Sequence, residues 1–158
     1  MGDTMFVETM SFKGLQKRSK KTEKNEKGRF KKKKRFGRTL SNRAPSMLVS
    51  CLERKLKYHG LKLNKVNTAK VKASQYNHFD DTYTKKPLNK RWNDFNGIIV
   101  QRDLYSSFLL MNMVHDKDLD KIDRELCFKT FDLFLQHHDE LISKLKKEPH
   151  TLKSMGIR

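Results

Sequence analysis

The stretch Gln101-Arg102-Asp103-Leu104-Tyr105-Ser106-Ser107-Phe108-Leu109-Leu110-Met111-Asn112 decides how this chain is read. Tyr105, Phe108 and Leu109 recur at steps of three and four, which puts them on one face of a helix. Asp103 lies at the start of that helix, where a carboxylate meets the positive end of the backbone dipole. The spacing predicts a helix from about Arg102 to Val114, entered from Gly97-Ile98-Ile99-Val100. The apolar face would hold the helix against a sheet and so fix Asp103.

Downstream, a second helix is predicted from about Leu119 to Lys147, stopped by Pro149. Its apolar stripe reads Cys127, Phe131, Phe134, His138, Leu141 and Leu145. A histidine on such a stripe is expected to be a hydrogen-bonded core residue. Cys51 and Cys127 both fall in apolar helical patterns and are expected to be free thiols of a reducing compartment. Upstream, residues 67–96 are polar and read as one long loop. Before them, Leu61, Leu63 and Val66 alternate with polar residues and predict a strand. A helix should precede it, capped by Ser41 or Asn42, with Pro45 in its first turn and Gly60 at its stop. Residues 4–10 predict a short strand that presents Glu8 near its end.

Charge divides the chain. Lys and Arg total 36 against 18 Asp and Glu, a formal net charge of +18 over 158 residues. Lys13 to Arg38 holds 14 of the basic residues and only Glu23 and Glu26 as acids, a net of +12. That run lacks the apolar residues to build a core and is expected to be disordered or extended. Such a balance calls for a polyanion, nucleic acid before a membrane surface. Lys31, Lys32, Lys33, Lys34 and Arg35 are the expected phosphate contacts, helped by Arg38 and Arg43, with Phe30 and Phe36 flanking the lysines. Residues 116–148, with 7 basic and 9 acidic side chains, read as an ordinary globular helix. No run of 18 apolar residues predicts a membrane span, and the first residues lack the pattern of a signal peptide. The expected location is the cytoplasm, in association with the nucleoid. The chain thus divides into a strand segment at 1–12, a basic segment at 13–38, a helix-strand-insertion-helix body at 39–115, a helical segment at 116–148 and a tail at 149–158.

Glu8 and Asp103 stand out as lone acids in apolar or basic surroundings. Carboxylates far apart in a basic α/β chain suit phosphodiester hydrolysis, in which Mg²⁺ or Mn²⁺ held by hard oxygen ligands activates water and steadies the leaving oxygen. Both residues are therefore candidate catalytic and metal-binding groups.

The segment QRDLYSSFLLMN (101–112) resembles the last catalytic motif of TnpB-type transposon nucleases, in which an Arg-Asp pair opens a helix of a RuvC-like domain. RFGRTLSNRAPSMLVSCLERKLKYHGLKLNKVNT (35–68) resembles the helix and strand leading to that family's zinc-binding insertion. TMFVETMSF (4–12) resembles its glutamate-bearing strand. The resemblance covers roughly residues 4–112. It implies an incomplete RNase H-like, RuvC-type α/β domain followed by a long C-terminal helix. It further implies Glu8 and Asp103 as two of three metal-binding carboxylates, DNA and a guide RNA as partners, and an endonuclease as the ancestral activity. Two departures follow. The family's first catalytic aspartate lies upstream of the glutamate strand and has no counterpart here, so an upstream fragment or partner would have to supply it, and little cleavage is expected of this chain alone. The family insertion carries two cysteine pairs, whereas ASQYNHFDDTYTKKPLNKRWNDFNG (73–97) has none. His78, Asp80, Asp81 and Asp94 are the remaining donors, and no zinc is expected because structural zinc favours thiolates. The insertion should be a metal-free loop anchored by Trp92 and Phe95. The competing reading is a non-catalytic nucleic-acid-binding protein that works through its basic segment.

Overall fold

The computed structural model describes residues 4–17, 22–30, 37–87, 89–114, 121–149 and 152–157. It is a mixed α/β arrangement of small sheets with a long C-terminal helix. The chain separates into two compact units, one formed by 1–5 with 9–64 and the other by 6–8 with 65–158.

The first unit is helical. Helix α1 (Phe12–Gln16) begins where the Ser11 hydroxyl accepts the Gly14 N–H. Helix α2 (Gly37–Arg43) follows and packs against α1. Helix α3 (Pro45–Tyr58) starts after Ala44, whose left-handed φ of 41° breaks the chain direction, with Pro45 in its first turn. Ser41 and Asn42 therefore lie inside α2 and do not cap α3. The stop at Gly60 is as read from sequence: its φ is 69°, and Leu61 N–H returns to Leu56 O. No residue of α3 is buried. Part of the basic segment is ordered. Asn25 Oδ1 accepts the Lys27 and Arg29 N–H groups, and this turn joins Lys24 to Phe30 in an isolated antiparallel bridge.

Strand β1 (Met5–Glu8) is hydrogen-bonded to β2 (Leu63–Val66), confirming both predicted strands. The second unit then departs from the sequence reading. Residues 67–96 are not one loop. They form helix α4 (Thr68–Val71), a 3-10 turn at Ala73–Gln75, a small hairpin of β3 (Tyr76–Asn77) with β4 (Thr82–Tyr83), and strand β5 (Trp92–Phe95). Strand β5 pairs antiparallel with β6 (Ile98–Gln101) through a two-residue turn. Asn96 and Gly97 both have positive φ there, 52° and 95°, the geometry whose twist matches the two strands.

Strand β6 runs directly into α5 (Arg102–Met111), which ends three residues before the predicted Val114 because Asn112 already leaves helical geometry. Asp123 caps α6 (Arg124–Lys147), its carboxylate accepting the Leu126 N–H. The core gathers Val66, Val71, Tyr76, Phe95, Val100, Tyr105, Phe108, Leu109, Cys127 and Phe131. The expected face of α5 is therefore the buried one. On α6 the stripe follows the helix rather than a strict alternation of fours and threes. Ile142 is buried, whereas Leu141 is 38% exposed, since 3.6 residues per turn carries the face past position 141. Among the described residues no helix is long and apolar enough to cross a membrane.

Candidate functional site

The start of α5 is held from three directions. The Gln101 side chain caps the helix: Oε1 accepts the N–H groups of Asp103 (2.7 Å) and Leu104 (2.8 Å). Its Nε2 donates to Asp103 Oδ2 at 3.1 Å and to Met155 O at 3.2 Å. The Gln101 backbone N–H donates to His138 Nε2 at 3.0 Å, so His138 carries its proton on Nδ1, which lies 2.7 Å from Asp139 Oδ1. His138 is the hydrogen-bonded core histidine its place on the stripe predicted. Residues near the C-terminus, read only as a tail, take part here. Ile157 is buried, and Gly156 O accepts the Trp92 indole N–H at 3.1 Å.

Arg102 is buried to 8% exposure, and its guanidinium is gripped by the carbonyls of Pro87 and Lys90. Its Nε lies 3.6 Å from Asp103 Oδ1, too far for a hydrogen bond but close enough for charge attraction. Asp103 is thus half-exposed, oriented by Gln101 and partly neutralised by Arg102. Glu8, at the end of β1, is half-buried, and that burial raises its carboxyl pKa. Neither hydrogen bond nor ion pair described for Asp103 involves Glu8. Among the described residues no three His, Cys, Asp or Glu side chains converge as a metal cage. The guanidinium beside Asp103 opposes a divalent cation there, so these two carboxylates do not by themselves fit the metal pair that the resemblance implies.

The four donors of the 73–97 segment have structural partners instead. Asp80 accepts from the Asn77 amide (2.7 Å), Asp81 from the Tyr76 hydroxyl (2.8 Å) and Asp94 from the Gly97 N–H (2.8 Å). His78 is fully buried among aromatic rings, with Phe79, Phe131 and Phe128 centroids at 4.1, 4.9 and 5.1 Å. The Tyr105 hydroxyl accepts the His78 backbone N–H at 3.2 Å and shares a 2.6 Å hydrogen bond with His78 Nδ1. The other ring nitrogen, Nε2, is buried and has no hydrogen-bond partner among the described residues. Burial, with help from the nearby Arg124 cation, lowers the His78 pKa to about 4. Phe95 is core and Trp92 is tied to Gly156, so both anchors act as expected. Cys127 is a buried free thiol pushed up to about 12 by burial, and Cys51 is free and half-buried.

The basic groups divide sharply between the units. The first unit holds 19 Lys and Arg against 4 acids, a net of +15; the second holds 17 against 14, a net of +3. Lys31, Lys32, Lys33, Lys34 and Arg35 lie outside the described residues. Arg38 belongs to α2, and Arg43 is exposed at its end. Sequence reasoning named Phe30 beside the lysines but passed over Tyr58. Tyr58 is 72% exposed with Lys55 Nζ 5.9 Å from its ring centroid, and Phe30 is 68% exposed with Lys24 Nζ at 5.2 Å. In the second unit, a cavity of about 430 Å³ between α5 and α6 is almost wholly apolar and has no carboxylate in its wall.

No family model matches the chain, and neither does any curated protein or solved structure.

Proposed function

We propose that this protein binds nucleic acid through its first unit, and that the stretch from about residue 4 to residue 112, which spans parts of both units, derives from the C-terminal part of an RNase H-like, TnpB-type nuclease. The observation that carries the binding reading is the segregation of charge, +15 against +3, on a unit with exposed aromatic rings beside its lysines. Phosphates satisfy the charge, and the rings offer faces to unpaired bases. The reading is tested by titrating the whole chain against labelled single-stranded DNA and RNA at several salt concentrations. Affinity should fall by about a thousandfold or more between roughly 50 and 200 mM salt. Binding indifferent to salt would remove the reading.

The nuclease ancestry rests on the residues of 4–12, 35–68 and 101–112, and on an acid that opens a buried, braced helix. In this proposal Glu8 and Asp103 are the remaining catalytic carboxylates, and an upstream stretch or a partner chain supplies what a Mg²⁺ or Mn²⁺ site lacks. DNA and a guide RNA would be its partners, in association with the nucleoid. A second reading, a nucleic-acid binder without catalysis, is favoured by one observation: Arg102 and Gln101 already occupy the surroundings of Asp103. Metal-dependent nicking of single-stranded DNA separates the two. Activity lost in Asp103→Ala supports the nuclease, and equal activity in that variant removes Asp103 from any mechanism.

A further inference from the structure

Three cations meet in the second unit without an acid among them. A pocket of about 410 Å³ is lined by Ser74, Gln75, Lys85, Lys86, Pro87 and Arg102. The two elements that build it are the 3-10 turn at Ala73–Gln75, packed on α5, and the chain after β4, tied to that turn where Thr84 N–H donates to Gln75 O at 2.8 Å. Arg102 cannot leave, because the carbonyls of Pro87 and Lys90 hold its guanidinium. Lys86 is half-buried. Its ammonium donates to Asn93 Oδ1 at 2.7 Å and lies 5.6 Å from the Phe95 ring centroid, which leaves two of its three donors for other partners. Burial and the repulsion of Lys90 and Arg102 lower the Lys86 pKa, so these charges are close enough to feel one another.

Like charges gathered at a partly buried wall destabilise the fold unless an anion joins them. Among the described residues that line the pocket none is acidic; Asp103 lies against Arg102 and is not part of the lining. Lysine, a guanidinium, a serine hydroxyl and a glutamine amide make a donor set for a tetrahedral oxyanion. We infer that this pocket binds a phosphate group. Lys85 and Lys86 supply the charge, and Ser74 and Gln75 supply neutral donors. The phosphate comes either from a nucleic-acid backbone crossing the second unit or from a free phosphate compound. The site goes beyond the proposed function, because inorganic phosphate alone can fill it.

The test uses the full chain and inorganic phosphate, compared with chloride at equal ionic strength, with thermal unfolding followed by the fluorescence of Trp92. Phosphate at about ten times its Kd should raise the wild-type midpoint by about 5 °C over chloride. Lys85→Gln, at an exposed position, and Lys86→Gln should each remove most of that gain, and Lys86→Arg should keep it. A gain of equal size in wild type and both glutamine variants would be a general salt effect and would overturn the site; so would no gain at all. A second arm measures oligonucleotide affinity in Lys86→Gln. A several-fold loss beyond that of one distant lysine identifies the backbone phosphodiester as the source. Unchanged affinity with the phosphate effect abolished identifies a free phosphate. Oligonucleotide binding without salt dependence would sink the polyanion reading of the first unit while leaving the phosphate arm to judge the pocket separately.

Discussion

Acid should loosen the second unit through one residue, His78. In the fold its imidazole stays neutral down to about pH 4, whereas an exposed histidine titrates near 6.5. Between those values the unfolded chain holds more protons than the folded one, so stability falls as pH falls. The contribution is complete above about pH 6.5 and is lost progressively as pH drops toward about 4. The difference of the two values corresponds to about 3 kcal/mol at full protonation. The geometry explains the sign: five aromatic rings surround the imidazole, Tyr105 already uses Nδ1, and Arg124 is nearby. Urea unfolding followed by Trp92, the chain's one tryptophan, reports on this unit. It should show wild-type stability declining from about pH 7 to about pH 4.5. His78→Phe fits a cage of aromatic rings but leaves the Tyr105 hydroxyl without its imidazole partner, at a cost of about 1–3 kcal/mol at every pH. The variant's decline over the same range should be shallower by about 2 kcal/mol. Glu8 acts in the opposite direction, because its raised pKa lets the fold take up a proton before the unfolded chain does. That term is common to both proteins and cancels in their difference. Parallel pH curves for wild type and His78→Phe would refute the assignment.

Other outcomes follow from single contacts. Gly156→Ala should destabilise the second unit by at least about 1–3 kcal/mol in urea unfolding: φ there is 74°, and a Cβ would come within 2.7 Å of Arg91 Cβ. Gln101→Ala should cost about 1–2 kcal/mol through the lost helix cap, while Gln101→Glu should keep part of it, since Oε still accepts the Asp103 and Leu104 N–H groups. In the native protein a thiol reagent should modify Cys51 readily and Cys127 only on unfolding, because Cys127 is fully buried and its pKa is near 12. Tyr58→Ala should weaken single-stranded oligonucleotide binding about tenfold while leaving the salt slope unchanged, and Tyr58→Phe should retain it.

What could be read from sequence was local. The period of 101–112 places Tyr105, Phe108 and Leu109 on the buried face, and the lone Glu8 and Asp103 fall where strand and helix patterns put them. Gly60 stops α3, and His138 is a bonded core residue, because each follows from a one-residue rule acting on a clear period. The segment 67–96 hides its strands from a pattern reading for a physical reason. Its strands are short and carry polar residues inward: Asn93 is buried, bonded to Lys86, so the usual alternation of apolar residues is missing. The Asn96-Gly97 pair was the available signal, a two-residue hairpin turn between WNDF and IIVQ. The ordering of the last residues depends on Gly156 and Trp92, 64 positions apart, and nothing local marks it. The same holds for the His78 cage, which needs α5 and α6 together. Pattern reading likewise passes over Gln101 as a cap, since glutamine is not a residue favoured there. Arg102 beside Asp103 was visible in the sequence, but only its burial shows that the guanidinium is fixed against the carboxylate.

Lysine acetylation with and without a saturating single-stranded oligonucleotide, read by mass spectrometry, tests the division of labour between the units. The charge distribution predicts protection of Lys13, Lys24, Lys27, Lys55, Lys57 and Lys62, while Lys129, Lys144, Lys146 and Lys147 of α6 stay reactive. Protection concentrated on α6, with the first unit's lysines as reactive as in the free protein, would contradict it.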